Sequence, residues 1–140
     1  MRLPRNVKVK SFPWSALPLF STYTAHALYP NVYIPKHIYE DLQSKNPNPK
    51  NVSVLIHEQT HINRQKQMGW LLWGLKYCAS RKFRFEEELA AVKESMKYLK
   101  KKKVKLDINR KAKLLSSFLY LWCISYDEVK SKLDDAWLEA

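Results

Sequence analysis

Glycine is nearly absent from this chain, with two residues in 140. Glycine-rich loops that cradle phosphates, of the dinucleotide or P-loop kind, therefore have no material to form from, and nucleotide chemistry is set aside. Cysteine is equally scarce. Cys78 and Cys123 each sit in an apolar, aromatic setting, which reads as two buried thiols in a reducing compartment and not as a disulfide framework. Long apolar runs are missing as well. Trp70 to Ala79 is broken by Lys76, and Leu114 to Tyr126 by Ser116, Ser117 and Ser125, so neither reaches the roughly 20 residues of a spanning helix. Both read as core helices, with attachment at a membrane interface as the lesser reading. Lys8, Lys10 and two prolines interrupt the stretch after the charged opening Met1-Arg2-Leu3-Pro4-Arg5, where a signal peptide needs an unbroken apolar core, and no signal peptide is expected.

Acidic residues are in the minority too. Lys and Arg number 25 against 13 Asp and Glu, a net charge of +12, and such an excess favours an anionic neighbour such as nucleic acid, lipid head groups or an acidic envelope polymer without choosing among them. What is present is a globular composition, 46% hydrophobic and 27% charged. Its length suits one domain spanning residues 1–140 with a core large enough to surround a buried centre.

The N-terminal third alternates β-branched and aromatic residues with prolines at 13, 18, 30 and 35, a pattern of short strands joined by turns. Strands are expected near Val7 to Phe12, Thr22 to Leu28 and Asn31 to Ile34. A short helix over Lys36 to Lys45 follows, and Asn46-Pro47-Asn48-Pro49 breaks the chain. The next helix, Val52 to Met68, is expected to start from an Asn51 or Ser53 cap and to stop at Gly69. Further helices are expected from Trp70 to about Ser80, from about Arg84 to Lys103, from an Asp107 cap to Ile124, and from Tyr126 or Asp127 to near Glu139. In the Arg84 helix, Leu89, Val92, Met96 and Leu99 recur at three- and four-residue steps with lysines opposite, and the Lys100 to Lys103 run sits at the end where cations meet the helix dipole.

The helix that ends at Gly69 carries His57-Glu58-Gln59-Thr60-His61. Two histidines four residues apart lie one above the other on the same helix face, so their imidazoles can converge on one metal ion. Glu58 is turned by about 100° from His57 on a helix of 3.6 residues per turn, which leaves it free to face water on the metal as general base. The flanking Leu55, Ile56, Gln59, Thr60 and Ile62 are uncharged, as suits a motif packed against a core. A catalytic Zn²⁺ needs a third protein ligand and an open position, and Glu86-Glu87-Glu88-Leu89-Ala90-Ala91 downstream offers the candidates.

A helix bearing E-x-x-A after HExxH resembles the gluzincin pattern of zinc metallopeptidases, in particular the very small gluzincin-like proteins common in bacterial and phage genomes. Residues His57 to His61, Gln65, the aromatic stretch Trp70 to Tyr77, Phe83-Arg84 and Glu88-Leu89-Ala90-Ala91 carry the likeness, about 45 residues of the 140. The resemblance implies an α+β, zincin-like fold, mostly helical with a small N-terminal antiparallel sheet, the motif on a central helix and the third-ligand helix after it. It implies a zinc peptidase in which His57, His61 and Glu88 hold the metal, with Glu87 as the alternative ligand because Glu87-Glu88-Leu89-Ala90 also satisfies the pattern. In such folds an extended peptide or protein substrate pairs with the edge strand before the motif helix, and Asn31 to Ile34, with Val32 and Tyr33 at its centre, is the corresponding segment. Tyr126, Arg84, His26 and Tyr33 are candidates to stabilise the oxyanion, while His26 and His37 otherwise read as structural. The scarce thiols and the lack of an expected signal peptide point to a cytoplasmic location, and the likeness to phage-encoded proteins adds a virion-associated one.

The charge leaves a second reading open: a basic structural or binding protein on the same scaffold, associated with nucleic acid or a virion, with zinc in a structural or vestigial role.

Overall fold

Short strands gather around the most apolar of their number. β1 (Val7–Val9), β2 (His26–Leu28) and β3 (Asn31–Ile34) form a three-stranded sheet in the order β1-β3-β2 in a computed structural model that describes residues 3–11, 24–117 and 124–140. Val32 and Ile34 of β3 are wholly buried, and placing that strand in the middle covers them from both sides. The sheet is mixed, correcting the expected antiparallel one. β2 pairs antiparallel with β3, Ala27 opposite Val32, but β1 runs parallel to β3, Val7 opposite Val32. A parallel pair needs a long connection, and the sixteen positions from 10 to 25 provide it. β1 stops at Val9 and β2 begins at His26, so Lys10, Ser11, Thr24 and Ala25 fall outside the strands expected to include them; Phe12, Thr22 and Tyr23 lie outside the described residues.

Among the described residues six helices follow: α1 (Lys36–Gln43), α2 (Pro49–Met68), α3 (Trp70–Ala79), α4 (Arg81–Lys101), α5 (Ile108–Leu115) and α6 (Tyr126–Glu139). α2 starts earlier than expected, capped neither by Asn51 nor by Ser53. The Asn48 side chain accepts from Lys50 N at 3.0 Å, and Pro49 takes the first helical position, where its fixed φ suits the helix and its missing N–H costs nothing. Gly69, at φ 90°, ends α2 and opens α3 in one residue. Ser80 caps α4 by accepting from Phe83 N, so that helix begins one turn before Arg84. Asp107 caps α5 as expected. α5 stops at Leu115, with Ser116 as its cap, short of the expected Ile124; residues 118–123 lie outside the described residues.

Among the described residues the apolar faces collect in two clusters. One joins sheet, α1 and α2 through Val7, Val32, Ile34, Ile38, Leu42, Val52, Leu55 and Ile62. The other joins α4, α5 and α6 through Phe85, Val92, Met96, Ala112, Leu115, Val129, Leu133 and Ala136. α2 and α4 pack against each other between them, and Ser95 Oγ of α4 donates to Ser53 O of α2 at 2.9 Å. Among the described residues no helix is long and apolar enough to cross a membrane.

Candidate metal centre

His57, Glu58 and His61 lie on the buried face of α2, and Glu87 and Glu88 on the buried face of α4. The two histidine Nε2 atoms stand 3.2 Å apart. Glu88 reaches across from α4 with one carboxylate oxygen 3.3 Å from His57 Nε2 and the other 3.4 Å from His61 Nε2. Three buried donor groups from two helices thus converge, their ligand atoms all within 4.8 Å of one another.

The donor set fits a metal ion. Each imidazole Nε2 faces its own oxygen of the Glu88 carboxylate at 3.3 to 3.4 Å, leaving the donors close enough to converge on one ion, and two imidazoles with a carboxylate are a set that zinc accepts. Glu88 Oε2 is buried without a hydrogen-bond partner among the described residues, an expensive arrangement for a carboxylate unless a cation satisfies it. His61 Nδ1 likewise meets no acceptor among them.

The electrostatics are those of a coupled cluster. Burial pushes the Glu88 carboxyl up, but His61 and His57 outweigh it and hold the group ionised well below the usual carboxylate range. Burial lowers His57 to about 4, with Lys111 adding to the effect. Burial opposes the charge on His61 as well, yet Glu88 raises its pKa overall. The Glu88 carboxylate thus favours positive charge beside it, on His61 or on a divalent ion, and the two would compete for the site.

The neighbouring Glu87 faces elsewhere. Arg64 of α2 donates to both of its oxygens, at 2.6 and 2.7 Å, and Trp73 Nε1 of α3 donates at 2.8 Å. Of the two glutamates the sequence left open, Glu88 is the one beside the histidines. Tyr77, also on α3, donates its hydroxyl to Glu88 Oε1 at 2.6 Å. Trp73 stacks on Tyr77 and meets the His61 ring edge-on, with centroids 4.6 and 5.9 Å away. The inner face of α3 is thus a brace for both glutamates.

Gln65 continues the histidine face by one further turn. Its Oε1 accepts from Tyr29 N at 2.8 Å and its Nε2 donates to Ala27 O at 3.1 Å, which ties α2 to the β2–β3 hairpin. Glu58 is buried beside the trio, and burial lifts its pKa to about 7. Two cations lie within electrostatic reach of it: Lys10, just past β1, and half-buried Lys111 of α5, which also acts on His57 and Glu88. Burial lowers the pKa of both lysines.

Nothing in the sequence marks Lys111, because a lysine inside a cationic stretch of an amphipathic helix looks like any solvated one. Tyr77 was foreseen only as part of an aromatic stretch. The other expectations fare differently. Arg84 is buried and donates to the carbonyls of Tyr77 and Cys78, securing the last turn of α3. The Tyr126 hydroxyl lies 3.4 Å from Asn109 Oδ1, among the residues packed on the α4–α6 cluster. His26 Nε2 lies 2.6 Å from Lys10 Nζ, and His37 is exposed. Val32 and Tyr33 belong to the middle strand, whose two edges are taken by β1 and β2, so they present no open edge to an extended peptide. Cys78 is exposed where a buried thiol was expected, because its side of α3 faces outward.

Comparison with protein-family models, curated proteins and solved structures finds nothing that matches this chain.

Proposed function

We propose that this protein is a zinc-dependent metallopeptidase of the gluzincin type, with His57, His61 and Glu88 as metal ligands and Glu58 as general base. The observation that carries the reading is the convergence of three buried donors from α2 and α4 with a fourth carboxylate, Glu58, beside them. When bound, zinc supplies a Lewis acid and lowers the pKa of water from about 15.7 to about 7. Glu58, raised to about 7 by burial, is matched to accept a proton near neutrality and return it to a leaving amine. Lys111 and Lys10 supply positive charge on the approaches to Glu58, suited to a negative oxygen developing on the substrate. Tyr77 and Gln65 hold the frame: one fixes the Glu88 carboxylate, the other fixes α2 against the sheet.

The depth of the centre favours a second reading, in which zinc staples α2 to α4 in a basic binding protein. One experiment separates the two. The full chain is loaded with zinc, assayed for metal by elemental analysis and incubated with a quenched-fluorescence peptide library. The peptidase reading expects about one zinc per chain and cleavage that Glu58→Gln abolishes while metal is kept. Zinc without cleavage in any library supports the staple, and a wild-type chain that retains no zinc sinks both.

A further inference from the structure

The outer face of α3 is apolar in a way that folding alone does not require. Trp73 and Tyr77 point inward to the metal centre, as described above. On the other side Trp70, Leu71, Leu72 and Leu75 are 54%, 60%, 49% and 62% exposed, and Met68 adjoins them. A helix apolar on all sides belongs in a core or in lipid, and a contiguous exposed patch of large aliphatic side chains marks an interaction surface. At ten residues α3 is too short to span a bilayer.

The chain around the patch is predominantly cationic. From Gln59 to Phe85 the chain contains no Asp or Glu, but it carries Arg64, Lys66, Lys76, Arg81, Lys82 and Arg84. Arg64 is bound to Glu87 and Arg84 is buried. The other four cations are exposed: Lys76 lies on α3 itself, Lys66 at the end of α2, and Arg81 and Lys82 at the start of α4. Lys76 lies over the Phe83 ring at 5.8 Å, and Lys82 forms a long, solvent-exposed pair with Glu86 at 3.9 Å. Leucines with a tryptophan, bordered by lysine and arginine, match the two layers of an anionic membrane surface, acyl boundary and charged head groups. A second copy would set the same cations against each other across a two-fold axis. Nucleic acid would find charge, but leucines in place of stacking aromatics.

We infer that α3 is a membrane-docking element, which seats this protein on anionic lipid through Trp70, Leu71, Leu72 and Leu75 with Lys66, Lys76, Arg81 and Lys82 on head groups. The metal centre then lies directly behind the docked helix. The proposal is independent of the peptidase reading, because it uses no residue of that centre.

Sedimentation of the full chain with vesicles tests it. Wild type is expected to pellet with phosphatidylcholine vesicles containing phosphatidylglycerol, and about tenfold or more weakly with phosphatidylcholine alone or in high salt. Leu71→Asp with Leu75→Asp should weaken binding on the order of a hundredfold from two lost side-chain insertions, with an unchanged far-UV circular dichroism spectrum. Lys76→Gln with Arg81→Gln should weaken it on the order of tenfold. Brominated acyl chains should quench wild-type tryptophan fluorescence, and Trp70→Phe should lose much of that quenching, a readout that stands even where the double aspartate variant fails to fold. Absence of binding to anionic vesicles at low salt overturns the proposal, as does binding that the leucine substitutions leave intact. A lipid-indifferent chain that self-associates, and becomes monomeric on Leu71→Asp, assigns the face to a second copy. Tight binding to DNA without lipid binding assigns the charge to nucleic acid.

Discussion

Glu87 and Glu88 stand side by side on α4, about 100° apart around the helix, and that rotation gives two identical side chains opposite surroundings. Glu88 faces two imidazoles and Tyr77; Glu87 faces Arg64 and Trp73. Glu88→Gln should remove metal binding, read by elemental analysis, while Glu87→Gln should keep the metal and lose stability. The Glu87 carboxylate is almost wholly buried but Arg64 is 40% exposed, so solvent screening limits the loss to about 2 kcal/mol in urea unfolding. The pH dependence has a definite sign. Burial raises the Glu87 pKa, but the bonds from Arg64 and Trp73 outweigh it and lower the folded-state value. Its contribution is therefore present above the unfolded carboxylate value of about 4.3 and disappears as pH falls through the lower folded value. The gap between wild type and Glu87→Gln should close in acid, and a gap that persists there would exclude the ion pair as its source. The sequence could not separate the two glutamates, because the pattern fits both and the deciding partners, Arg64 and Trp73, sit 23 and 14 positions away. Tyr77→Phe tests the brace on Glu88: with the hydroxyl gone, zinc affinity should fall roughly tenfold by competition titration, with the fold retained.

At the scale of elements, helices were more legible than strands for a local reason. The histidine pair, the Gly69 stop and the Asp107 cap are all written within one or two turns of sequence. The α2 start was misplaced only because Asn48-Pro49 reads as a break, when proline at the first helical position is also a beginning. The direction of β1, in contrast, depends on a partner 25 residues away, Val32 opposite Val7, and no local signal distinguishes a meander from a crossover. The joint between α2 and α3 makes a sharp prediction. Gly69 holds φ 90°, a backbone region costly for a residue with a Cβ, although open space surrounds the position. Gly69→Ala should therefore cost about 1 kcal/mol by backbone strain alone, lowering the melting temperature by a few degrees. Gly74 lies within α3, also in open space and without that φ, so Gly74→Ala should stabilise by a similar amount through helix propensity. If both substitutions act in the same direction, the joint does not have this geometry.

Among the described residues the apolar core forms two clusters, one under the sheet and one among α4 to α6, and α2 packed on α4 joins them. Two of the three proposed ligands come from one side of that joint and one from the other, so a bound ion fastens the halves together. In its absence the same joint contains a buried carboxylate with an unsatisfied oxygen among the described residues, which weakens it. Because the unfolded chain has no preformed site, zinc at a hundredfold excess over its Kd should stabilise the fold by about 2.7 kcal/mol, a rise of roughly 10 °C in melting temperature. A chelator should reverse the rise, and hydrogen exchange should then quicken first in α2 and α4, where the two clusters meet. Glu58→Gln should show the same metal-dependent rise, since Glu58 is not a ligand, whereas His61→Ala should melt at one temperature with or without zinc. Equal melting of the zinc-loaded and chelated wild-type chain would mean that no ion bridges α2 and α4, whatever chemistry Glu58 performs.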